Sequence, residues 1–414
     1  MSDRKERLVV HIPRRLTHSS WGGTERVLEQ TLPLLKEHHF QASVFTSQAL
    51  DTGIVDQLGD TPVTRFPYFY PEFPLSEARK LRFDNKGGNT FSPALTRSLA
   101  EVENLALVHF HTGNLLAAHC LKVAKKRNVP TVLTLHGGHF AIPEAELKNL
   151  TGSSEQAPRR GIPLGRVLSI ALGARNILEK IDALVCVGLD EYEAARSALP
   201  NQKVIFLPGG VNIEEFSQAD RTRGRELLGV EPNRKLIGCI ARVDEQKDQA
   251  TLVRAWAKHM SQDCDLAIVG PETSPGYSEQ LRALADGARG KLLLPGGMPP
   301  KEAAHLYAAL DVSVLPSRHE PFGLTCLESW AAKTPLIAAN RGGPGWLLSG
   351  EKEGRLFEVG DHGRLGELLD ELLTDTAQRQ RLISAAYDRV QAEFTWKKRA
   401  EKLSSLYEEL LSSR

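Results

Sequence analysis

His319-Glu320-Pro321-Phe322-Gly323-Leu324-Thr325-Cys326-Leu327-Glu328 follows an apolar run over residues 312–315 and leads into helix-like sequence over 324–332. A strand-like run, a Pro/Gly turn and a helix in succession form half of a βαβ unit, which implies an open parallel sheet. Backbone N–H groups near Gly323 to Thr325 then lack a partner within the helix and face whatever lies above the turn. Such a place suits a phosphate. Glu320 hangs in the loop and Glu328 sits about one turn into the helix, so two carboxylates flank the anion site and accept from hydroxyls. A phosphate joined to hydroxyl-rich groups on both sides is a nucleotide-sugar.

The same alternation extends outward in both directions. Residues 236–240, 265–269, 291–294 and 335–338 read as buried strands, each followed by helical sequence. In the first half, 8–12, 42–46, 105–110, 131–135, 183–187 and 204–207 do the same, with helical stretches over 25–38 and 115–126. Two doubly wound α/β domains are implied. The boundary falls in Pro208-Gly209-Gly210-Val211-Asn212, giving domains over 1–207 and 208–394 and a last helix within 395–414. Ligand is expected at the C-terminal ends of the parallel strands, in the cleft. Segments 68–89 and 143–165, rich in Pro, Gly and basic residues, interrupt the alternation and read as long loops.

Composition sets the outer limits. A chain of 414 residues, 41% hydrophobic and 25% charged, suits a globular protein of two domains. No uncharged apolar run approaches the ~18 residues of a membrane span, and no signal h-region follows Arg4, Lys5 and Arg7, so a cytoplasmic protein is expected. The five cysteines form no C-x-x-C pair and read as buried thiols. A net charge of +1 gives no reason to expect nucleic acid. The basic run Arg79-Lys80-Leu81-Arg82 and the pair Arg159-Arg160, with the apolar stretch 167–178 after it, read first as solvated loops and a packed domain helix, with docking on an anionic membrane surface as the second reading.

Four segments together resemble the retaining GT-B glycosyltransferases of family 4. They are Ser19-Ser20-Trp21-Gly22-Gly23-Thr24-Glu25, Leu135-His136-Gly137-Gly138-His139, Ile240-Ala241-Arg242-Val243-Asp244-Glu245-Gln246-Lys247 and the opening ten residues. The resemblance implies two Rossmann-like domains facing across a cleft, the first for the acceptor and the second for the nucleotide-sugar, with the last helix crossing back onto the first domain. It also implies transfer of a hexosyl group from a UDP-, GDP- or ADP-sugar to a glycan, lipid-glycan or small-molecule hydroxyl, without a further cofactor. A hydrolysing nucleotide-sugar 2-epimerase of the same architecture is the alternative.

Roles follow for single residues. Arg242 and Lys247, five apart after a strand, suit a clamp on the diphosphate. By resemblance Glu328 holds the ribose hydroxyls and Glu320 the transferred sugar, while Phe322, Gly323, Leu324 and Thr325 offer backbone N–H groups. Gly22 and Gly23 let backbone approach the diphosphate, or make a plain turn. By resemblance His136 lies beside the reacting bond; a core histidine is the other reading. His111 and His139 are candidate acceptor contacts, and Met298, after Pro295-Gly296-Gly297, a candidate base contact. The only D-x-D string, Asp263-Cys264-Asp265, precedes its strand at the end away from the expected cleft, so no metal is expected. The chain departs from the family pattern at Lys333, where a glycine is common, and at Gly342-Gly343-Pro344-Gly345-Trp346, where Pro-Glu often follows two glycines.

Overall fold

The computed structural model describes residues 7–17, 22–72, 74–85, 87–137, 139–140 and 164–414, with Arg166 through its backbone alone. Ser19 to Trp21, Gly138, Arg159-Arg160 and nearly all of the 143–165 segment lie outside the described residues. The chain divides into two compact units, residues 1–208 with 396–414, and residues 209–395.

The first unit carries strands β1 (Arg7–Ile12), β2 (Phe40–Ser47), β3 (Val55–Leu58), β4 (Thr61–Phe66), β5 (Leu105–Phe110), β6 (Thr131–Leu135), β7 (Ala183–Cys186) and β8 (Val204–Phe206). Their order is β3-β4-β2-β1-β5-β6-β7-β8, parallel throughout except where β3 runs antiparallel to β4. Side chains alternate across the sheet, so Val10 and Val108 join Leu116, Cys120 and Leu121 on one face. Val9 and Leu107 join Leu28, Leu403, Leu406 and Tyr407 on the other. The second face is covered partly by the helix Trp396–Ser412, which crosses back from the end of the other unit. Its Arg399 guanidinium is 3% exposed and donates to the carbonyls of Leu207 (2.6 Å) and Pro208 (2.5 Å), satisfying the carbonyls after β8. His11 and His109 share the face of Val9 and Leu107 and are 0% and 1% exposed.

The second unit holds β9 (Leu236–Ile240), β10 (Asp265–Val269), β11 (Leu292–Gly296), β12 (Val312–Leu315), β13 (Leu336–Ala339) and β14 (Arg355–Phe357), all parallel in the order β11-β10-β9-β12-β13-β14. Strand order reverses between β9 and β12 here and between β1 and β5 in the first unit. Loops leaving such neighbours diverge above the sheet and open a place for ligand.

Three local expectations are corrected. The stretch 25–38 is a helix, Gly23–Thr31, followed by a 3-10 turn, Pro33–His38, because Pro33 lacks the N–H that would continue the helix. Segment 68–89 contains a helix, Glu77–Asn85, whose sequence has almost no apolar face. Tertiary bonds hold it: the Arg14 guanidinium caps the carbonyls of Phe83 and Asp84, while Tyr68 and Tyr70 donate to the Asp84 carboxylate at 2.5 and 2.8 Å. β3, β4 and β14 were not expected, being short, edge-lying or carrying Pro62. Among the described residues, no helix is long and apolar enough to cross a membrane.

Candidate functional site

β9 and β12 end side by side, and their loops carry the acidic and basic candidates. After β9 the chain turns through Arg242 into a 3-10 turn, Glu245–Lys247, which the Asp244 carboxylate caps by accepting from the Gln246 N–H at 2.9 Å. The loop after β12 is tied to it by the Arg318 N–H donating to the Gln246 carbonyl at 3.0 Å and by the Arg318–Asp248 ion pair at 3.1 Å. These bonds bring Lys247 Nζ to 2.5 Å from Glu320 Oε2, with side chains only 15% and 16% exposed. Glu328, in the first turns of the helix Leu324–Ala331, accepts from the Tyr307 hydroxyl at 3.1 Å. Between the carboxylates lies Cys326. Burial first, then the charges of Glu320 and Glu328, push its thiol well above the ordinary value, and Lys247 acts in the opposite direction. Lys247, Glu320 and Glu328 therefore share one electrostatic environment at the switch point of the sheet.

Arg242 stands at the same strand end and is more open. Its side chain is 45% exposed and reaches Thr273 Oγ1 (3.3 Å) and Asp244 Oδ2 (3.4 Å), contacts long enough to be exchanged for a ligand oxygen. Met298 follows β11 and packs against the cluster of Leu228, Leu236 and Leu310.

Gly323 has φ +91°, a conformation open to glycine, and starts the helix with no side-chain cap. Phe322 is 4% exposed and anchors the turn against Trp346 and Phe394. Leu324 and Thr325 are half-buried. Behind the turn run Gly342 and Gly343, where the family pattern also asks for glycines. The Gly343 N–H donates to the Glu320 carbonyl at 2.9 Å, and a Cβ on Gly343 would lie 2.1 Å from the Phe322 carbonyl oxygen. Gly343→Ala is therefore expected to displace the Glu320–Phe322 turn, lower stability by about 1–3 kcal/mol and weaken nucleotide affinity by about tenfold. Thermal denaturation and calorimetric titration check both effects. Lys333 takes φ +56°, the left-handed conformation that a glycine adopts freely, and its ammonium rests 4.5 Å from the Tyr387 ring centroid.

Several residues of this site carried no signal in the sequence. Tyr307 and Thr273 are partners contributed by distant elements. Ser317 Oγ, His319 Nε2 and Thr325 Oγ1 are buried polar atoms without a hydrogen-bond partner, all in or beside the turn between β12 and its helix. Orphaned buried polar atoms are rare, and three in one turn mark a place arranged for an oxygen-rich ligand. The D-x-D string serves elsewhere: Asp263 and Asp265 both accept from the Arg234 guanidinium, at 2.6 and 2.9 Å.

In the first unit the switch point between β1 and β5 gathers histidines. His136, half-buried after β6, has Nε2 2.9 Å from His111 Nδ1, and His111 Nε2 lies 3.0 Å from His11 Nδ1. His109 uses both ring nitrogens, on Tyr407 (2.5 Å) and Thr134 (2.7 Å). Burial lowers the pKa of all four rings, to about 3 for His11 and His136, so they are neutral at pH 7. His11, His109 and His111 bring one nitrogen each within 4.8 Å of one another. The rings of His109 and His111 stack at 4.4 Å and 21°, and ring lone pairs lie in the ring planes, so this trio reads as stacked rings and not as a convergent metal site.

The loop after His136 is pinned by a residue with no sequence signal. Glu191, 2% exposed, accepts from the backbone N–H groups of Gly137 (3.1 Å) and His139 (2.8 Å), while the His139 ring lies at the surface. Gly22 and Gly23 are exposed at the start of the helix Gly23–Thr31. There the buried Glu25 carboxylate accepts from the Gly22 N–H and from its own, so the protein itself occupies part of that helix terminus.

Comparison with known proteins agrees with this fold. The model of Glycosyltransferase Family 4 matches residues 21–215, and that of Glycosyl transferases group 1 matches residues 220–389. The chain is 34% identical over 294 residues to a protein named D-inositol 3-phosphate glycosyltransferase from Corynebacterium diphtheriae. The match covers 68% of this chain and 65% of that relative's length. Among solved structures, a glycosyltransferase from Rickettsia africae superposes with a TM-score of 0.74 at 18% identity, covering 99% of this chain and 100% of the other. The Anabaena protein HepE in complex with UDP-glucose does so with a TM-score of 0.70 at 20% identity, covering 98% and 100%. With one family model on each half, and with this order of strands in two Rossmann-like units, the chain belongs to glycosyltransferase family 4 and has the GT-B fold.

Proposed function

We propose that the chain is a metal-independent, retaining hexosyltransferase that moves a sugar from a nucleotide diphosphate-sugar to a hydroxyl of a glycan, a lipid-linked glycan or a small molecule. The observation that carries this reading is the Lys247–Glu320 pair, with Glu328 close by, at the switch point of the second unit. Lys247 and Arg242 would take the diphosphate, Glu328 the ribose hydroxyls and Glu320 the hexose, while the start of the helix Leu324–Ala331 adds positive potential. In the reaction the bond from the anomeric carbon to the phosphate oxygen breaks, and the bond to the acceptor oxygen forms on the same face. The acceptor proton passes to the departing phosphate. Positive charge from side chains and helix lowers the barrier to departure. The commitment of Asp263 and Asp265 to Arg234 supports a site that works without a carboxylate-held metal.

Support for the donor class also comes from HepE, whose structure holds UDP-glucose, and support for a hydroxyl acceptor from the name of the Corynebacterium relative. A thermal-shift screen of UDP-, GDP- and ADP-hexoses is expected to give one base that raises the melting temperature. With that donor and a glycan acceptor, turnover should persist in EDTA and yield a product of the donor's own anomeric configuration. Stabilisation by none of the three, or an inverted product, would overturn the reading.

A further inference from the structure

The three rings His11, His111 and His136 are joined end to end, and the two ends of the chain differ. His11 is 0% exposed and its Nε2 has no hydrogen-bond partner, whereas His136 is half-buried and forms the open end. In a neutral imidazole one nitrogen donates and the other accepts, so the two ring-to-ring bonds allow only two arrangements of protons. In the first, His11 Nδ1–H donates to His111 Nε2 and His111 Nδ1–H donates to His136 Nε2, which leaves His136 with its proton on Nδ1. In the second every proton is reversed, and His11 carries an N–H on Nε2.

The second arrangement buries that N–H with nothing to receive it. An orphaned buried donor is penalised more than an orphaned lone pair, so the first arrangement prevails by about tenfold or more. We infer that His11 and His111 are positioning residues which lock His136 in the Nδ1–H tautomer, so that its open end presents a hydrogen-bond donor toward substrate. A proton cannot pass through the chain, because its inner end has neither donor nor acceptor to exchange with. The chain is therefore a lock and not a relay.

The surroundings keep the rings neutral, as the lock requires. His109 stacks on His111 while spending its own nitrogens on Thr134 and Tyr407. Tyr407 and the buried Arg399 guanidinium reach the cluster from the helix Trp396–Ser412. Arg399, a cation that opposes any imidazolium, lowers the pKa of His109, His111 and His136 further. Tyr407 is itself held protonated by burial, so among the described residues no anion acts on the rings.

The lock itself does not depend on the chemistry proposed for the site; its effect on turnover rests on that reading and on His136 serving as a substrate contact. The test is long-range 1H–15N spectroscopy of the full chain labelled in its histidine rings at pH 7.5, with His136→Gln for assignment. Wild type is expected to show His136 protonated on Nδ1. His11→Ala, which opens a space beside His111 Nε2 where a water can donate or accept alike, should give a mixture of His136 tautomers and a fall in kcat of about twofold or more, in proportion to the Nδ1–H population lost, at a donor KM within twofold. His11→Asn, whose side-chain amide can donate from the position of Nδ1, should restore both. Melting temperatures of the three proteins separate a folding defect from a tautomer change. A wild-type His136 protonated on Nε2, or an unchanged Nδ1–H tautomer in folded His11→Ala, overturns the inference. A tautomer shift without loss of turnover leaves the lock standing and counts against the placement of His136 at the reacting sugar.

Discussion

Lys247→Ala and Glu320→Gln are each expected to lower turnover by about 10² or more, the usual scale for removing a group that stabilises charge in the transition state. The two side chains are paired at 2.5 Å in the protein without donor, so neither change is a simple deletion. Removing the ammonium leaves a carboxylate in a largely buried place without its cation, which adds a stability loss of about 1–3 kcal/mol. Removing the negative charge leaves Lys247 free for phosphate but replaces one of the two acceptor oxygens facing the hexose with an NH2 donor. Because both act on one bound donor, the double variant should be little worse than the more damaged single one. Steady-state rates of the three proteins, with far-ultraviolet circular dichroism to show that each is folded, check this. Additive losses would mean that the two side chains do not serve one ligand.

Acid is expected to destabilise the first unit steeply. Burial depresses the folded-state pKa of His11, His109, His111 and His136 below the 6.5 of an exposed imidazole, so the unfolded chain takes up protons first. The stability involved is fully present above pH 6.5 and is lost as pH falls toward the folded values, about 3 for His11 and His136. Each fully buried ring contributes about 1.4 kcal/mol per pH unit over that window. His11, with no exposure and a folded value of about 3, removes about 2 kcal/mol between pH 7.5 and pH 5, and the equally buried His109, shifted in the same direction, adds to it. That is a large share of the 5–15 kcal/mol typical of a domain. Urea unfolding at pH 7.5 and pH 5 measures it, and His109→Gln should flatten the difference. An unchanged difference in that variant would show that His109 is not held neutral.

The fold was legible because buried parallel strands announce themselves as short apolar runs. Residues 105–110, 131–135, 236–240, 265–269 and 312–315 fall on β5, β6, β9, β10 and β12. Polar or proline-bearing strands at a sheet margin, such as β3 and β4, give no such signal, and the helix Glu77–Asn85 depends on Arg14 from far along the chain. Within the site, Glu320, Lys247 and Glu328 could be picked out because they sit at strand ends beside a glycine turn. Tyr307, Glu191 and the unpaired Ser317 and His319 could not, since their places are set by contacts between separate elements. His111 and His136 were singled out one by one as ligand contacts. That they form one chain with His11, on the same face of the sheet as Val9 and Leu107, is set by the register of β1 on β5.

Diffraction from crystals grown with the nucleotide-sugar selected by thermal shift tests the central claim most directly. The account predicts the diphosphate within hydrogen-bond distance of Arg242 and Lys247, the ribose against Glu328 and the hexose against Glu320. A donor bound in contact with none of these four side chains would contradict it.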